Sequence, residues 1–85
     1  YVKYEKSDLA ALIRKTVYEV TQIKVDGGKT NLLDTATGIR PADFLYIFDL
    51  LEKELHIPAA DILIGHSYRI MEVDAMSEAL LELLE

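Results

Sequence analysis

Eighty-five residues with a formal net charge of −6 and no cysteine supply one domain, because a second hydrophobic core would have too little chain to build from. The missing cysteines exclude a disulfide framework, a thiolate metal site and a cysteine nucleophile, and they fit a reducing compartment. Fifteen acidic against nine basic side chains repel a phosphate backbone, and no basic stripe is visible, so nucleic acid is not an expected partner; proteins with basic surfaces are.

Ser7 is a candidate N-cap, and Leu9, Leu12, Ile13, Val17 and Val20 recur at helical spacing behind it, which predicts a first helix over 8–21. Leu32 and Leu33 are the apolar pegs of the stretch that follows. Asp26-Gly27-Gly28 is a turn signal within it. A small hairpin across 21–33 and a long loop both fit; the loop is preferred, since two isolated strands are marginal without a sheet to join. Gly27-Gly28-Lys29-Thr30 lacks the earlier glycine and the preceding strand of a phosphate cradle.

The clearest helix comes next. Phe44, Ile47, Phe48, Leu51 and Leu55 form one apolar stripe. Pro41 suits the first helical position, Asp43 suits the first turn, and Pro58 stops the helix near Leu55 or His56. Leu45, Tyr46 and Leu50 lie off the stripe. The common behaviour of bundle helices puts two of these three in a widened buried face; the other reading leaves Leu45 and Tyr46 exposed as a docking surface. His56 fits a structural role at the helix end.

Beyond Pro58, Ala59 to Ile64 predicts one and a half turns ended by Gly65, and His66 to Arg69 reads as a loop or irregular turn. The last helix is predicted over 72–84. Val73, Met76, Leu80, Leu83 and Leu84 face inward there, and Asp74, Ser77, Glu78 and Glu82 face outward. No apolar run reaches a membrane span and no signal-peptide core opens the chain, so no membrane contact is expected and a cytoplasmic location is. His66 near Asp61 is too sparse for zinc, and Ser67 beside His66 lacks a third orienting group, so an enzyme is not expected.

Leu51-Glu52-Lys53-Glu54-Leu55-His56-Ile57-Pro58 resembles the end of the second helix of the acyl carrier protein family, an acidic run followed by Ile-Pro. Leu32-Leu33 and Gly38 resemble the apolar pair and the glycine of that family's first loop, and Ile70 and Val73 resemble the start of its fourth helix. The resemblance implies an all-α four-helix bundle of three longer helices and a short one, with a long loop between the first and second. In working carriers a serine opening the second helix is esterified with phosphopantetheine; counting back from Leu55 without gaps, its place falls on Pro41, which has no hydroxyl.

The resemblance therefore implies a non-catalytic protein-binding module without that cofactor at the usual position. Its candidate partner-binding residues are Asp43, Leu45, Tyr46, Asp49 and Glu52. It looks like the carrier-related proteins of peptide-maturation systems, whose expected partners are biosynthetic or peptide-modifying enzymes. A competing registration takes Gly65-His66-Ser67-Tyr68 as similar to the serine signature of peptidyl carrier domains. Ser67 would then carry phosphopantetheine and the chain would be a functional carrier.

Overall fold

The computed structural model describes residues 4–25, 31, 32, 34, 37–64 and 68–84, with 68 and 69 described by their backbone. Among these the regular structure is helical: α1 (Lys6–Thr21), α2 (Asp43–Leu55) and α3 (Val73–Leu84), with 3-10 helices at Ala59–Leu63 and Tyr68–Met71. The radius of gyration is 11.7 Å, against about 12 Å for a compact chain of this length.

Helix α1 starts two residues earlier than its pattern predicts. Glu5, not Ser7, is the N-cap, and its N–H donates to the Asp8 carboxylate at 2.9 Å. Asp8 thereby satisfies a donor that the helix cannot reach and places negative charge at the positive end of the dipole. Thr21 closes the other end of the helix. The Thr21 hydroxyl donates to Val17 O at 2.7 Å and accepts from Ile23 N–H at 3.1 Å. Gln22 then turns left-handed, with φ 62°.

Helix α1 packs against both α2 and α3, α2 packs on the Ala59–Leu63 turn, and α3 packs on both 3-10 helices. The stripes meet in one core: Leu9, Ile13 and Val17 of α1, Ile47 and Leu51 of α2, and Val73, Met76 and Leu80 of α3 are fully or almost fully buried. Leu12 and Val20 are partly buried at its margin.

Two expectations about α3 are corrected. Ser77 is fully buried instead of facing out, and its hydroxyl donates to Val73 O at 2.7 Å. A serine can bond the carbonyl one turn back, so it enters an apolar interior without needing a partner on another helix. Leu83, assigned inward, is 38 % exposed because it lies in the helix's last turn, beyond the buried Leu80.

Apolar side chains pin the connection from α1 to α2 at separate points. Val25, Leu32 and Ile39 are buried. Leu32 N–H donates to Met71 O at 2.9 Å, and Asn31 forms an isolated antiparallel bridge with Glu72. Leu32 is thus the peg the pattern names, while Leu33 and Asp26-Gly27-Gly28 lie outside the described residues. Gly38 takes φ 80°, a conformation that costs glycine nothing. Thr37 accepts Ile39 N–H at 3.2 Å and steers the chain into α2.

Candidate functional site

The start of α2 differs by two residues from the prediction. Pro41 and Ala42 form a turn ahead of the helix, with Asp43 N–H donating to Arg40 O at 2.9 Å and Phe44 N–H to Pro41 O at 3.2 Å. The exposed Pro41 loses nothing there, since its nitrogen would lack an intrahelical acceptor in any case. Asp43 closes the turn: its carboxylate accepts Arg40 N–H at 3.1 Å and lies 3.8 Å from Arg40 Nε. At the other end His56 turns left-handed, with φ 57°, and donates its N–H to Glu52 O at 2.8 Å. Pro58 then begins the run into the Ala59–Leu63 3-10 helix.

Phe44, Ile47, Phe48, Leu51 and Leu55 are all buried, as the stripe predicts. The widened face does not form: Leu45 is 75 % exposed and Tyr46 65 % exposed, while Leu50 is half-buried. The stripe already meets α1 and the 3-10 turn; Leu45 lies on its flank and Tyr46 on the far side of the cylinder, and both stay exposed.

Leu45, Asp49 and Glu52 follow one another at i, i+4 and i+7 and so share a line along α2. With Phe44, Phe48, Ala60 and Leu63 they border an open groove of about 310 Å³ between α2 and the 3-10 turn. Glu52 spans it, accepting Ala60 N–H at 3.5 Å. Asp49 pairs with Lys53 at 3.0 Å across exposed helix surface. Leu63 supplies apolar rim on the 3-10 side, and Ile64, next in the chain, is 73 % exposed.

Of the five partner-binding candidates, the structure brings Leu45, Asp49 and Glu52 to this groove. It places Tyr46 on the adjoining face and engages Asp43 at the helix start. Leu63 and Ile64 were missed, because a turn and a half of apolar sequence is too short to show which of its residues face inward; Ala59 and Ile62 take the buried side.

Ser67 and His66 lie outside the described residues. The last long helix starts only at Val73, after the Tyr68–Met71 3-10 helix. Asp61 is exposed. No group of three or more metal-ligating side chains occurs among the described residues, and none of their helices is long and apolar enough to cross a membrane. Pro41, ahead of α2, carries no hydroxyl.

Compared with known proteins, the chain matches no family model, no curated protein and no solved structure.

Proposed function

We propose that the chain is an acyl-carrier-related domain that has no prosthetic arm at the head of its second long helix and acts by binding other proteins. In this reading the 3-10 turns between α2 and α3 stand where a carrier bundle has its short helix. The observation that carries the proposal is the α2 surface. Two large side chains, Leu45 and Tyr46, stay in water beside Asp49 and Glu52, although the same helix buries five others. Burying such side chains against a partner recovers apolar area, and the acidic flank favours encounter with a basic surface. The expected partners are biosynthetic or peptide-modifying enzymes.

Intact-mass analysis after incubation with coenzyme A and a broad-specificity phosphopantetheinyl transferase tests the arm. An unchanged mass supports the reading. A mass gain abolished by Ser67→Ala would replace it with a functional carrier bearing its arm on Ser67.

A further inference from the structure

A second concavity lies on another part of the surface, bordered by Arg14, Lys15, Tyr18, Lys24 and Val25, with a volume of about 490 Å³. Arg14 and Tyr18 are one helical turn apart on α1. Lys24 and Val25 arrive beside them because Gln22 closes the helix left-handed and sends the chain back along it. Three of the chain's nine basic residues therefore border one hollow in a protein whose net charge is −6.

None of the three has an ion pair among the described residues, whereas Lys6, Arg40 and Lys53 each meet a carboxylate. Arg14 is half-buried, and its Nε is shut off from solvent with no hydrogen-bond partner. The guanidinium makes no ion pair among the described residues, so an arriving anion gains a charge-assisted partner there. Tyr18, half-exposed, and the buried Val25 supply an apolar wall next to the cations.

We propose that this hollow is a binding site for a phosphorylated small molecule with a flat apolar body. Three cations favour a ligand with more than one negative charge over a single carboxylate. The guanidinium fork matches phosphate oxygens, the lysines act as point charges, and the tyrosine ring stacks on a flat group. The size lies within the range of small-molecule sites.

Amide chemical-shift titration of the intact chain with adenosine diphosphate, and separately with inorganic pyrophosphate, tests this. Shifts are expected to centre on residues 14–18 and 24–25 and to weaken as salt is raised from about 50 to about 300 mM. Arg14→Gln is expected to weaken binding about tenfold or more, and Arg14→Lys by less, since it keeps the charge and loses the fork. Lys24→Gln, on the surface, repeats the test if the Arg14 variant does not fold. Tyr18→Ala should weaken the nucleotide and leave pyrophosphate unchanged; equal effects on both would remove the flat body from the proposal. Absence of localised shifts, or binding untouched by Arg14→Gln or Lys24→Gln, would overturn it. A single-stranded oligonucleotide binding more tightly than the nucleotide would also overturn it, in favour of a polymer.

Discussion

Two apolar residues of α2, one buried and one exposed, should respond to truncation with very different magnitudes. Ile47 is fully buried, so Ile47→Ala removes its transfer free energy and leaves a cavity, costing about 2–5 kcal/mol. Leu45 is 75 % exposed and buries about a quarter of itself; full burial of such a side chain contributes about 2 kcal/mol, so Leu45→Ala should cost about 0.5 kcal/mol. At about 4–8 °C per kcal/mol, Ile47→Ala lowers Tm by about 12–24 °C for a loss near 3 kcal/mol, and Leu45→Ala by about 2–4 °C. Urea unfolding followed by circular dichroism at 222 nm, with the slope checked for constancy, measures both. A loss of about 2 kcal/mol or more in Leu45→Ala would show that this side chain belongs to the core, and the α2 surface would no longer be a candidate for docking.

Gly38→Ala should cost about 1 kcal/mol from its positive φ alone, since the added Cβ would meet Ile23 Cδ1 at an ordinary 3.6 Å; a larger loss in urea would point to a clash. His56→Gly should stabilise by up to about 1 kcal/mol by removing a side chain from a left-handed position, and an unchanged or lower unfolding midpoint contradicts this. Ser77→Leu should destabilise by about 1–3 kcal/mol through overpacking, whereas Ser77→Ala stays within about 1 kcal/mol; similar stabilities for the two would place residue 77 at the surface. The Glu78 hydrogen bond, at 2.9 Å, with the charges of Glu78 and Asp74 behind it, raises the Lys6 ammonium above its usual 10.5. A raised lysine contributes stability that is complete below the unfolded value and fades as pH climbs through the folded one. Lys6→Gln should therefore fall short of the unmodified chain at pH 8 and converge with it above pH 10.5; a deficit independent of pH contradicts the pairing.

The α2 stripe was legible because five apolar residues at helical spacing admit one buried face, and Pro41 and Pro58 bracket it. What lay off the stripe was not. Leu45 and Tyr46 have the composition of core residues, and only the position of α1 and the 3-10 turn decides that no element covers them. Ser77 misled in the other direction: a hydroxyl reads as surface until its bond to Val73 O is seen. Val25 and Ile39 lack any period, because a loop pinned at separate points has none. The hollow at Arg14 was equally hidden, since Lys24 joins it only through the left-handed closure at Gln22. The groove beside α2 depends on Leu63, whose exposure follows from the 3-10 geometry of a segment too short to show its own pattern.

In the proposed function, α2 is the surface that partners read. Immobilised unmodified chain and the Leu45→Ala/Tyr46→Ala double variant, matched by circular dichroism for helix content, can be compared for the proteins each retains from a soluble extract and for the affinity of each purified candidate. A set held by the unmodified chain and lost from the equally helical variant is the expected result. Retention of the same set with unchanged affinity would contradict it.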